Sequence, residues 1–166
     1  MTELGTFEWT RTLQALSDAG VRFVLIGGVA ARIQGSSTVT RDIDVCHARD
    51  RQNLEALARV LQSMHARLRG AADDVPFRLD ARTLAAGDSF TFATDLGDVD
   101  ILATPSGTTG FADLAQGAMT VEIGGWPVLV ASVDDLIRMK RAAGRPKDLV
   151  EIEILGALRE ETAEYR

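Results

Sequence analysis

The sequence predicts a mixed α/β (α+β) domain in which one β-sheet is flanked by helices, with further helices closing the C-terminal part. Three observations carry that prediction. The apolar run "VRFVLI", Val21 to Ile26, stops at Gly27-Gly28 and gives way to the helical pattern "VAARIQ". Two segments, "SFTFATDLGDVDIL" and "MTVEIGGWPVLVA", alternate about glycine-bearing turns as hairpins do. Helical periodicity then runs from Ser132 to about Arg159, interrupted at Gly144.

Each element follows from its residues. Phe7 to Asp18 puts Trp9, Leu13 and Leu16 at helical spacing, and Gly20 ends the pattern. Val21 to Ile26 reads as a buried strand, the residues after Gly28 as a short helix, and "DIDVC" as a second strand. Asp50 to Met64 is amphipathic, with Leu54, Leu57, Leu61 and Met64 on one face. Ala66 to Asp88 is irregular apart from a short helix near Arg82 to Ala86. The first hairpin turns at Asp95-Leu96-Gly97, "GFADLAQ" forms a short helix, and the second hairpin turns at Gly124-Gly125. Ser132 with Asp135 three residues on makes a capping-box pattern that opens a helix to about Arg141. Gly144 closes it, and Pro146 opens the last helix.

At 166 residues and 46% hydrophobic, the chain suits one core. The expectation is a single domain over residues 1–166, its core spanning about 21–155. No apolar stretch approaches the roughly 20 residues that a membrane span needs, and no secretory pattern opens the chain. A cytoplasmic protein with no membrane partner is expected. Cys46, the single cysteine, allows no internal disulfide and no cysteine-based zinc site. A net charge of -6 argues against a broad nucleic-acid footprint, and 5% aromatics leave little for base stacking. Both lysines, Lys140 and Lys147, fall in "RMKRAAGRPKD".

Asp42 and Asp44 stand at i and i+2 of a strand, so they face one side about 7 Å apart while Ile43 and Val45 enter the core. Two convergent carboxylates suit a hard cation such as Mg²⁺. Asp100 in "LGDVDIL" sits between Val99 and Ile101 in the same manner. If the two strands are neighbours, three aspartates meet. A glycine pair between strand and helix, Gly27-Gly28, lets backbone approach a phosphate closely. Taken alone, the aspartates fit a solvated edge strand, or a pair salt-bridged to arginines such as Arg41, better than a metal site. With Gly-Gly, Asp100 and the C-terminal segment in register, the metal reading is the stronger.

"GG", thirteen residues, then "DID", with a later strand aspartate, resembles the signature of the nucleotidyltransferase superfamily, whose fold is that of DNA polymerase β. More narrowly, the chain resembles small bacterial nucleotidyltransferases related to abortive-infection and toxin–antitoxin proteins. "TRDIDV", "GDVDIL" with the following "TPSGTTGFADL", and "VDDLIRMKRAAGRPKDLVEIEIL" carry that likeness, and Thr40 matches a threonine common before the first acid. Where many relatives have Gly-Ser, this chain has Gly-Gly.

The resemblance implies transfer of NMP from an NTP to an acceptor hydroxyl, with Mg²⁺ or Mn²⁺ as cofactor. It makes Asp42, Asp44 and Asp100 the catalytic metal ligands, and Gly27, Gly28 and Thr40 the nucleotide loop. Lys140 or Lys147 would neutralise the triphosphate, and Arg145 would contact phosphate or base. Acceptors in related families are RNA, protein hydroxyls or small molecules. The alternative is a catalytically silent nucleotide-binding or partner-binding module, as in an antitoxin paired with a toxin protein.

Plainer roles are expected elsewhere. Asp98 shares the face of Asp100 but follows the turn glycine, so it reads as a turn residue and a reserve third ligand. Cys46 reads as a small buried thiol, and His47 and His65 as surface or helix-end residues. Trp9 and Trp126 read as packing. A basic run such as Arg138 to Lys147 is ordinarily a solvated helix end.

Overall fold

The structure, a computed structural model, describes residues 2–37, 39–72 and 74–164, with side chains from Trp9 onward except those of residues 162 and 164. Helix α1 (Thr2–Asp18) leads to β1 (Phe23–Ile26), α2 (Gly27–Ile33), β2 (Ile43–His47) and α3 (Arg51–Ser63). After them come β3 (Arg67–Leu68), α4 (Ala81–Ala86), the hairpin β4 (Ser89–Thr94) and β5 (Gly97–Leu102), and α5 (Phe111–Gly117). The second hairpin, β6 (Met119–Ile123) and β7 (Trp126–Val130), precedes α6 (Val133–Ala143) and α7 (Pro146–Glu164).

Local chemistry explains the helix ends. The Asp50 carboxylate accepts from the Asn53 amide, that of Asp80 from Thr83, and the Ser132 hydroxyl oxygen from Asp135, each satisfying a first-turn N–H. Gly144 ends α6 in the left-handed conformation at φ 64°, where a side chain would be strained.

The strands form one mixed sheet in the order β3-β4-β5-β2-β1-β7-β6. β2 runs parallel to β5 and antiparallel to β1. It is therefore central, which overturns the edge-strand alternative for Asp42 and Asp44. Ile43, Val45, Val99 and Ile101 are buried, at 2% exposure or less, and join Leu25, Leu57, Phe92 and Val130 in a single core. Among the described residues, no helix is long and apolar enough to cross a membrane.

The irregular stretch after Ala66 contains one element that the residue pattern does not announce. β3 is two residues long and pairs with β4 through Arg67↔Ala93 and Leu68↔Phe92. Two residues are too few for alternation to register. Likewise α1 and α7 run beyond the expected ends, to Thr2 and to Glu164.

Candidate active site

The sheet brings Asp44 and Asp100 together by register. In the parallel β2–β5 pair Asp44 lies opposite Asp100, and across β1 it lies opposite Ile26. Because the alternate residues are committed to the core, both carboxylates must face the other side of the sheet. Asp42, just before β2, lines the same cleft as these two.

The glycine turn is fitted to this acidic floor. Gly27 has φ 71°, and a Cβ there would overlap the Asp44 carboxylate. A Cβ on Gly28 would fall 2.6 Å from the Thr40 Cβ, closer than side chains approach. Thr40 in turn directs its hydroxyl to the Asp42 carbonyl oxygen at 3.4 Å. Gly28 thus serves packing within the loop as well as access to it, so a larger residue there would disturb the fold along with any bound phosphate.

Electrostatically the floor is short of positive charge. Burial, then the Asp100 carboxyl within hydrogen-bonding reach, then Asp42, push the Asp44 carboxyl up to about 8, with Lys140 pulling the other way. Among the described residues no arginine, Arg41 included, pairs with Asp42 or Asp44, and the one guanidinium at the floor is that of Arg69 on Asp100. Its Nη2 donates to Asp100 Oδ1 at 2.8 Å, and its Nη1 lies 3.4 Å from Asp98 Oδ2. Nothing in "ARLRG" marks that residue, since its partners lie on a strand beyond the intervening β4.

Oxygen-only donors beside a carboxyl that resists ionisation suit a hard divalent cation, which would relieve the repulsion. As the side chains stand, however, no three acidic, histidine or cysteine side chains among the described residues converge on one point. Asp44 and Asp100 meet, while the full convergence of three aspartates expected from the sequence is not formed.

The opposite wall is cationic and internally balanced. Asp148, in the first turn of α7, is fully buried. It accepts from Arg145 Nε at 2.9 Å and from Lys140 Nζ at 3.3 Å. Burial alone would raise the Asp148 carboxyl, but Arg145 and Lys140 hold it below the usual carboxylate range. Lys140 also pairs with Glu151 at 2.5 Å. Lys147 is exposed, and among the described residues no ion pair engages it. Arg138 is not a solvated helix end: it grips Asp113 with two bonds of 3.1 Å and so ties α6 to α5.

Asp42, Asp44, Asp100, Gly27, Gly28, Thr40, Lys140, Arg145 and Lys147 all line one cleft of about 460 Å³. Uncharged residues complete its lining, among them Ser89, Thr91, Pro105 and Ser106. Asp98 is not in its lining. Rather than sitting in the turn, Asp98 lies within β5 opposite Ala93 and shares Arg69 with Asp100.

Two residues behind the floor differ in how well they follow expectation. Cys46 is buried as expected, with its thiol pushed up to about 12 by burial and by Asp88 and Asp113. His47 is not at the surface. It lies at the end of β2 opposite Phe23, 1% exposed, because alternation puts it on the core side with Ile43 and Val45. Burial, then Arg49, lower its pKa to about 4, and among the described residues neither ring nitrogen finds a hydrogen-bond partner. His65, by contrast, is exposed and pairs with Asp95 at 2.5 Å.

No family model matches the chain, and no curated protein matches it. Solved structures do. The lincosamide antibiotic adenylyltransferase LnuA, with lincomycin bound, superposes with a TM-score of 0.62 at 15% identity, over 91% of this chain and 96% of that one. ANT(2″)-Ia in complex with adenylyl-2″-tobramycin superposes with a TM-score of 0.54 at 17% identity, over 100% of both chains. The chain has the nucleotidyltransferase fold.

Proposed function

We propose that this chain is a nucleotidyltransferase that moves NMP from an NTP to a hydroxyl of a small molecule, with Mg²⁺ or Mn²⁺ held by Asp44, Asp100 and Asp42. The observation that carries the reading is the registered Asp44–Asp100 pair facing the Gly27-Gly28 turn in a single cleft of that fold. A small acceptor is supported by both compared structures, which hold an antibiotic or an adenylylated antibiotic. The net charge of -6 argues against a polyanionic acceptor such as RNA.

In the reaction the acceptor O–H gives up its proton and its oxygen bonds to the α-phosphorus. The bond from that phosphorus to the bridging β-oxygen breaks, and pyrophosphate leaves with the electron pair. Divalent ions held by Asp42, Asp44 and Asp100 would make the acceptor hydroxyl more acidic and neutralise charge on the leaving group. Asp100 would receive the proton, as the resemblance implies. Gly27 and Gly28 let the phosphates come close to backbone, and Lys147 is the cation free to meet them. Lys140 and Arg145 reach the same cleft from fixed positions on Asp148.

The test is incubation with each of the four NTPs, Mg²⁺ and a panel of hydroxyl-bearing antibiotics, alongside cell lysate, reading pyrophosphate and the labelled product. A labelled small molecule supports the reading. Label on RNA or protein would replace the acceptor, and an NTP-dependent thermal shift without turnover would favour the silent module or a toxin–antitoxin partner role. Absence of both NTP binding and transfer would overturn the site.

A further inference from the structure

Arg69 lies outside the cleft lining, yet among the described residues it is the one side-chain cation within ion-pair distance of any floor carboxylate. Its guanidinium spans two acids that are i and i+2 on β5, Asp98 and Asp100. The segment that carries it is lightly fastened. β3 pairs with β4 over two residues, the Arg69 amide adds one bond to the Thr91 carbonyl at 2.9 Å, and Gly70 follows at φ 79°. The side chain is 32% exposed, and its Nη1, the atom that faces Asp98, is buried with no hydrogen-bond partner among the described residues.

We propose that Arg69 is the internal counter-ion of the metal-free floor, that it competes with the divalent cation for Asp100, and that Asp98 retains it when Asp100 is released. The inference rests on the reading of Asp44 and Asp100 as cation ligands. A guanidinium is charged at every working pH, and two cations on one carboxylate repel each other strongly in a partly buried site. The same contact already occupies one Asp100 oxygen that a cation would need. It also gives Asp98 a task that neither a turn residue nor a metal ligand would have. Arg69 is in this sense a positioning residue.

The experiment is Mn²⁺ binding without nucleotide, by calorimetry, to the wild-type chain, Arg69→Gln and Asp98→Asn. Arg69→Gln should bind Mn²⁺ about tenfold more tightly, the worth of one charge-assisted hydrogen bond. Asp98→Asn should bind a few-fold more weakly, since Arg69 is then left with Asp100 alone; an unchanged value would overturn the role of Asp98. Unchanged or weaker binding by folded Arg69→Gln would overturn the competition and leave Arg69 a strut. Should that variant fail to fold, hydrogen exchange on the wild-type chain decides: saturating Mg²⁺ should speed exchange across residues 66–70, and no change or slowing overturns the proposal. If wild type and both variants alike bind no Mn²⁺, the cation-ligand reading itself falls, whereas equal binding by wild type and Arg69→Gln removes only the competition.

Discussion

On the sheet floor three acids, Asp42, Asp44 and Asp100, have one guanidinium among the described residues, and it reaches Asp100 alone of the three, whereas on the α6–α7 wall Asp148 and Glu151 are matched by Lys140 and Arg145. The two surfaces meet across the same cleft with opposite charge balance. On the floor the imbalance is visible as a carboxyl that holds its proton up to about 8. On the wall the balance is visible as one held below its usual range. Residual charge of this kind separates a surface awaiting a ligand from one assembled to support it.

The contrast breaks most sharply at Asp44. Asp44→Asn keeps the shape against Gly27 while removing a ligand charge, so transfer should fall about 10²- to 10³-fold. Steady-state product formation reads this, and the metal-free variant should melt above wild type because a repulsion is gone. Next comes the wall: Asp148→Asn takes from Arg145 its carboxylate and leaves Lys140 with Glu151 alone, and unfolding in urea should show a loss of about 2 kcal/mol.

A smaller effect is the pH dependence of the metal-free protein. The unfolded chain releases the Asp44 proton near 3.8, while the folded one keeps it until about 8, so stability falls as pH rises between them. His47, lowered from 6.5 to about 4, works in the opposite direction within that narrower range. From 6.5 to about 8 the Asp44 slope stands alone, and thermal melts should show it in wild type and not in Asp44→Asn or with saturating Mg²⁺. Smallest of all, Lys147→Ala should raise the KM for NTP about fivefold, as an exposed charge contact allows. Its stability should stay within about 0.5 kcal/mol of wild type, since its side chain is exposed.

What the sequence made legible was whatever a local rule controls. Alternation placed Asp44 and Asp100 on one face, the turns at Asp95-Leu96-Gly97 and Gly124-Gly125 fixed both hairpins, and Ser132 and Gly144 bounded α6. Residues defined by distant partners were not legible. Arg69 depends on a two-residue strand docking beside β4, and the "KD" of Lys147-Asp148 gives no sign that the acid turns inward to Lys140 and Arg145. His47 was misjudged because a histidine at a strand end looks solvated until its alternation with Ile43 and Val45 is followed one step further.

The parallel pairing of β2 with β5 bears on how the molecule comes to be made. Parallel strands cannot be joined by a tight turn, so these two have to find each other across α3, β3, α4 and β4. Such long-range closure is the slow kind of step in folding. Here it also sets two acids side by side, so the middle of the sheet closes against its own charge. Assembly and protonation are thereby linked: a proton on Asp44 removes one of the two charges that this pairing has to bring together.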